Sequence, residues 1–282
     1  MPELPDVEVL VRRLAPLLKH KTIETVIVRR EKVLRPTSPG EFLLTLLGAR
    51  FLSVRRRGKY LVFRLRAGDG GCFSLLGHLG MTGRMYVLPD GQPEPKHTAV
   101  SLRLGRVKLV FEDTRYFGRL TLDTTPLERL GPEPLAAAFS VDYFARSLAR
   151  SAQPIKVKLL DQALVAGIGN IYASEALFRA RIPPRLAARR LSPDQVRRLW
   201  RAIRGVLRQA IAWGSTVPLD WTGGGAPGGL FYFGLAAEAR DYYEEGLRVY
   251  DREALPCPRC RAPIRRLVQG ARSTFYCPEC QG

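Results

Sequence analysis

The sequence predicts an α+β protein of several domains: an antiparallel β-sandwich with a flanking helix, then a helical domain, then a small four-cysteine finger. Three observations carry this. Short runs of alternating apolar and polar residues fill the stretch from Thr22 to Phe111, a long capped amphipathic segment begins at Ser192, and two C-x2-C pairs close the chain. At 282 residues the chain exceeds one average domain, so two compact units and an appendage are expected.

The first element is a helix. Val7, Leu10, Val11, Leu14, Leu17 and Leu18 fall at helical spacing, Asp6 is placed as its N-cap, and Pro16 is expected to end or bend it early. Alternating strands such as FLSVRRRGKYLVFRL and VSLRLGRVKLVF follow, and Gly105-Arg106 within the second reads as a tight hairpin. After Leu130 the pattern turns helical. In SPDQVRRLWRAIRGVLRQAIAWG, Ser192 caps, Pro193 takes the first position and Gln195 completes a capping box. Val196, Leu199, Trp200, Ile203, Leu207 and Ile211 line the buried face, and Gly214 stops the helix. The stretch from Val217 to Glu245, rich in glycine and then in aromatics, reads as a long surface loop. Domains are therefore expected at 1–130, 131–240 and 241–282.

The chain carries 45 basic and 26 acidic residues, a net charge of +19. Divided after Leu130 this is about +10 and +9, so the excess is spread through the body and is not a tail. Nucleic acid is the expected partner, although solubility or an acidic protein would also account for charge alone. The arginine bias suits phosphate and base contacts, and genomic base composition would produce it equally. The sequence contains no apolar run long enough to span a membrane, and the acidic, proline-containing start is unlike a signal peptide. A soluble cytoplasmic protein is expected.

Cys257, Cys260, Cys277 and Cys280 form two knuckles sixteen residues apart, the spacing of a closed structural zinc site. A pair of disulfides is the other reading. The remaining cysteine, Cys72, lies in an apolar stretch and is expected in the core. The segment between the knuckles supplies two strands and a turn bearing Arg272.

Several separated stretches, PELP, RRRGKYL, HLGMTG, GPEPL, LDQALVAGIGNIYASEALFRARI and GARSTFYCPECQ, together resemble formamidopyrimidine-DNA glycosylase, the bacterial repair family that removes oxidised purines and nicks the strand. The resemblance runs from Pro2 to Gln281. It implies a two-sheet N-terminal domain, a helix-two-turn-helix domain and a zinc finger, with damaged duplex DNA bound by a monomer. One structural zinc and no organic cofactor are implied.

By that resemblance Pro2, exposed as the terminus once Met1 is removed, is the nucleophile, and Glu3 beside it moves protons. Lys59 and Arg272 complete the catalytic set by contacting phosphates around the damaged nucleotide. Met81, Arg115 and Phe117 match the residues inserted into the duplex when the base flips out, although singly Met81 and Phe117 read as core. Lys156, Asn170, His78 and His97 match further DNA-side positions. Read without the family, Lys59 would be a solvated hairpin lysine, and the Gly-x-Gly before Asn170 is no dinucleotide fingerprint.

Three departures from the family stand out: the stretch from Val217 to Glu245, which in the family caps the everted purine, is longer and richer in glycine and aromatics, and two single positions differ. Asp6 occupies a position usually held by glutamate, and Tyr116 interrupts a basic pair before Phe117. The competing readings are an endonuclease VIII-like enzyme for oxidised pyrimidines on the same scaffold, and a catalytically silent zinc-ribbon DNA-binding protein.

Overall fold

The computed structural model describes residues 2–213 and 246–282, which fall into two compact units. The first comprises Pro2 and Asp6–Glu128; the second comprises Glu3–Pro5, Arg129–Trp213 and 246–282.

Helix α1 spans Leu4–Leu18. It starts two residues before Asp6, which therefore sits buried in the first turn and is not the N-cap. Pro16 neither ends nor shortens the helix: it forgoes the single N–H bond it would donate one turn back, and the ladder resumes beyond it, with Lys19 N–H donating to Ala15 O at 3.1 Å. Val7, Leu10, Val11, Leu14 and Leu18 enter the core of the first unit, while Leu17 is exposed.

That core lies with two four-stranded antiparallel sheets. The strands are β1 (Thr25–Val28), β2 (Arg50–Arg57), β3 (Tyr60–Arg66), β4 (Cys72–His78), β5 (Gly83–Pro89), β6 (Thr98–Arg103), β7 (Val107–Asp113) and β8 (Arg119–Thr121). They order as β1-β6-β7-β5 and β2-β3-β4-β8. Strand β3 shows the alternation clearly: Leu61, Phe63 and Leu65 are buried while Arg64 and Arg66 face solvent. The hairpin between β6 and β7 is closed by Leu104 N–H donating to Val107 O at 2.8 Å, with Gly105 at φ 76°, where a side chain would be strained. A short helix, α2 (Pro39–Leu46), interrupts the strands; Ser38 caps it by accepting the Glu41 N–H. Cys72 is not a core thiol. It opens β4 directly after a glycine turn and is exposed.

The second unit holds α3 (Val141–Ala149), α4 (Ile155–Leu159), α5 (Asn170–Ala180), α6 (Pro193–Ala212) and the hairpin β9 (Arg265–Gln269) and β10 (Arg272–Tyr276). The capping box of α6 is present in both directions: Ser192 Oγ accepts the Gln195 N–H, and Gln195 Oε1 accepts the Ser192 N–H at 2.8 Å. Val196, Leu199, Ala202, Ile203 and Leu207 are buried. Trp200 is half-buried and donates its indole N–H to Phe139 O at 2.7 Å. Gly214 and the stretch Val217 to Glu245 lie outside the described residues. Among the described residues no helix is long and apolar enough to cross a membrane.

Candidate active site and nucleic-acid interface

In the second unit the focus is the N-terminus of α5. An α-helix leaves its first N–H groups without intrahelical partners, and the cap residue here, Gly169, has no side chain to offer. Glu3 fills that role from far away in sequence. Its carboxylate, 1% exposed, accepts N–H groups from Gly169 and Ile171 at 2.8 Å each and from Tyr172 at 3.3 Å. A carboxylate at this position also meets the positive end of the helix dipole. The approach requires Gly167, whose φ is 88° and where a Cβ would lie 2.7 Å from the Leu4 side chain. Leu4 N–H donates to Gly167 O, and Gln162 holds the turn by accepting the Gly167 N–H and donating to Leu160 O and Ile168 O.

Lys156 and Asn170 meet in the same unit. Lys156 is fully buried and donates to Asn170 Oδ1 at 2.5 Å; Asn170 Nδ2 donates onward to Ser273 O at 2.9 Å. Burial pulls the lysine down to about 8; the charge of Glu3 opposes the fall and that of Arg272 adds to it. Arg272 itself is exposed, directly after the Gly270-Ala271 turn, where both residues have positive φ.

The four finger cysteines place their sulfurs within 4.8 Å of one another. The Cys260–Cys277 and Cys257–Cys280 Sγ separations are 3.4 and 3.9 Å, too long for disulfide bonds. Tetrahedral bonds of about 2.3 Å to zinc set sulfurs about 3.8 Å apart, so the donor set fits that ion. Backbone N–H groups of Arg259 and Cys280 point at the sulfurs of Cys257 and Cys277, as in metal knuckles.

Three residues the sequence did not single out fasten the finger to α5. Glu175 on α5 accepts the N–H groups of Arg248, Val249 and Tyr250 at 2.9 to 3.0 Å. Arg259 donates to the C-terminal carbonyls Phe178 O and Arg179 O, and its guanidinium lies 4.6 Å from the Phe178 ring centroid. Gln281, buried, joins Cys277 N–H to Ile182 O.

In the first unit Pro2 is buried. Lys59 follows Gly58 (φ 57°) at the β2–β3 turn and is only 6% exposed, so it is not a solvated hairpin lysine. Beside the turn, Arg56 donates to Gly58 O and pairs with Glu8 at 2.8 Å. Burial pushes Glu8 up, yet hydrogen bonds and charges from Arg56 and Arg12 hold it below the usual carboxylate value.

His78 ends β4 with its ring 4.8 Å from that of Tyr60, and its Nδ1 accepts the Gly80 N–H. Burial, then the charges of Lys59 and Arg119, lower it to about 4. His97 precedes β6, and its carbonyl accepts the Asp113 N–H. Met81 and Phe117 are 45% and 51% exposed and so are not core residues. The Arg115 guanidinium lies 5.4 Å from the Phe117 ring centroid. Tyr116 adopts φ 53° and takes the Arg30 guanidinium over its ring at 5.3 Å.

Known proteins match along the whole chain. Residues 1–120 match the profile of the formamidopyrimidine-DNA glycosylase N-terminal domain, 130–219 its H2TH domain, and 254–282 the zinc finger found in FPG and IleRS. The formamidopyrimidine-DNA glycosylase of Thermus thermophilus is 43% identical, covering 100% of this chain and 99% of its own; that of Desulfitobacterium hafniense is 40% identical with 100% of both covered. The crystal structure of the Thermus thermophilus MutM (Fpg) protein superposes with a TM-score of 0.82 at 41% identity, covering 99% of this chain and 98% of that one. A Lactococcus lactis Fpg mutant, solved with DNA containing Fapy-dG, gives 0.86 at 30% identity and 99% of both chains. The chain belongs to the formamidopyrimidine-DNA glycosylase family.

Proposed function

We propose that this protein excises oxidised purines, 8-oxoguanine and formamidopyrimidines, from duplex DNA and then nicks the strand by β,δ-elimination. The observation that carries the reading is the Glu3 carboxylate, next after Pro2 in the chain and buried, fixed on the N–H groups of Gly169, Ile171 and Tyr172 at the start of α5. The relatives' names support the glycosylase step, and solved relatives bound to abasic-site DNA and to 8-oxo-G DNA support DNA as partner.

With Met1 removed, the secondary amine of Pro2 attacks the sugar C1′. The C1′–N bond to the base breaks, and the base leaves with a proton. Glu3 moves the proton that opens the sugar ring or assists base departure. The resulting iminium is cationic without further protonation and acidifies the C2′ hydrogen; its loss expels the 3′-phosphate, and a second elimination releases the 5′-phosphate. Lys59 and Arg272 contact phosphates beside the damaged nucleotide. Lys156 and Asn170 serve as further phosphate-binding positions, and His78 and His97 line the DNA side. Met81, Arg115 and Phe117 fill the space left by the flipped base.

Cys257, Cys260, Cys277 and Cys280 hold one zinc ion, which organises the hairpin carrying Arg272 and has no part in the chemistry. Domains at 1–130, 131–240 and 241–282, a monomer and a cytoplasmic location belong to the same proposal. Excision measured on matched duplexes containing 8-oxoguanine or thymine glycol tests the substrate class. Preference for 8-oxoguanine supports it, and preference for thymine glycol assigns the endonuclease VIII-like alternative.

A further inference from the structure

Asp113, at the end of β7, is completely buried, yet among the described residues none of its hydrogen bonds runs to a cation. One carboxylate oxygen, Oδ1, accepts the Thr82 hydroxyl at 2.5 Å and the Arg115 N–H at 3.1 Å; the other, Oδ2, accepts the Gly118 N–H at 2.7 Å. Thr82 belongs to the loop that carries Met81. Arg115 and Gly118 bracket the loop that carries Phe117. A single carboxylate thus ties two loops that otherwise have independent connections, β4 to β5 and β7 to β8.

The backbones of the same two loops are in direct contact. A Cβ on Gly80 would lie 2.6 Å from Gly118 N and 2.7 Å from Phe117 C, and one on Gly118 would lie 2.6 Å from the Phe111 ring. Neither loop has room to shift alone without opening this contact or unpairing a buried oxygen of Asp113. The side chains displayed outward, Met81, Arg115 and Phe117, are nevertheless exposed. Exposed side chains on short loops ordinarily sample several positions, and inserting them into a base stack would then carry an ordering cost.

We propose that Asp113, with Thr82 as its link, is a positioning residue that locks the Met81 loop and the Arg115–Phe117 loop into one preformed wedge for duplex DNA. This rests on the reading of those three side chains as the set that enters the duplex. Asp113 and Thr82 do not touch the substrate in this scheme. Their contribution is confined to substrates in which a base must be forced out of a paired stack.

Thr82→Val removes the hydroxyl and keeps the shape, and Thr82→Ser restores the link. Excision of 8-oxoguanine from duplex DNA by Thr82→Val should fall about tenfold, the effect of losing one charge-assisted hydrogen bond, while Thr82→Ser recovers most of it. Nicking of a preformed abasic site in single-stranded DNA, where no stack is opened, should match the parent protein for both variants. Asp113→Asn, in which an amide must face one of the three donors, should show the same split with a larger duplex defect. Equal duplex excision by Thr82→Val and the parent would overturn the proposal, as would an equal loss on both substrates. Failure of the parent protein itself to excise 8-oxoguanine would instead count against the functional reading on which the wedge rests.

Discussion

The carboxylate of Glu3 accepts the backbone N–H of Ile171 at 2.8 Å, across 168 positions of sequence. Both oxygens are engaged at the start of α5, so the side chain has one orientation.

Replacing Glu3 by Gln keeps the volume but presents an amide to N–H groups that need acceptors. The variant should lose roughly 1–3 kcal/mol of stability, seen in thermal melting, from the donor left unpaired. Affinity for lesion DNA should stay within about threefold while base excision slows by at least about 100-fold, the scale of general acid/base catalysis. Equal losses in affinity and turnover would make Glu3 a structural cap only.

Gly167 permits this arrangement through its φ of 88° and its closeness to Leu4. Gly167→Ala should cost on the order of 2 kcal/mol, since strain and a Cβ clash act together. Excision should fall with it because the turn that receives Glu3 must move. An unchanged melting temperature with full activity would contradict this placement.

His78 gives a pH dependence with a definite sign. Its folded value of about 4 lies below the ordinary 6.5. Between those values the unfolded chain binds a proton that the folded protein does not, so stability is fully present above about 6.5 and is lost as the pH falls toward 4. His78→Gln, which can still accept the Gly80 N–H, should lose less over that window, by about 3 kcal/mol. Parallel stability curves for the two proteins would show that His78 does not titrate in this way.

Chelating the metal should melt the β9–β10 hairpin and release Arg259 from the end of α5, lowering DNA affinity at least about tenfold. Backbone amide exchange at Val249 and Tyr250, whose N–H groups are held by Glu175, should rise at the same time. Affinity unchanged in metal-free protein would remove the zinc ion from DNA binding.

The alternating strands, the Gly105 hairpin, the Ser192 capping box and the paired cysteines are all legible in the sequence because each depends on neighbours within a few residues. Helix α2 carries a local signal too, Ser38 before Pro39 with Glu41 following, but it is short and set among strands. Asp6 looks like a cap until the structure shows the helix already begun at Leu4. The apolar neighbours of Cys72 point to the core, whereas the glycine turn before β4 leaves it exposed. Glu175 could not be read at all: its carboxylate serves N–H groups of Arg248, Val249 and Tyr250, and no spacing rule links a carboxylate to N–H groups that only the fold brings to it. Gln162 and Asp113 serve backbone groups close by in sequence, but nothing local marks them among the other polar residues, and the link from Asp113 to Thr82 is made only by the fold. The positions matched by resemblance, Lys59 and Arg272 among them, are individually indistinguishable from the other basic residues of this chain.

In the proposed reaction the Pro2 amine forms a covalent bond with the sugar of damaged DNA. Borohydride reduction of the protein, with Met1 removed, on duplex DNA containing 8-oxoguanine tests it directly, with mass spectrometry of the digested complex locating the link. A one-to-one adduct on the N-terminal peptide at Pro2 is expected. Tight binding of the same DNA with no adduct, or an adduct on Lys59 in its place, would contradict it.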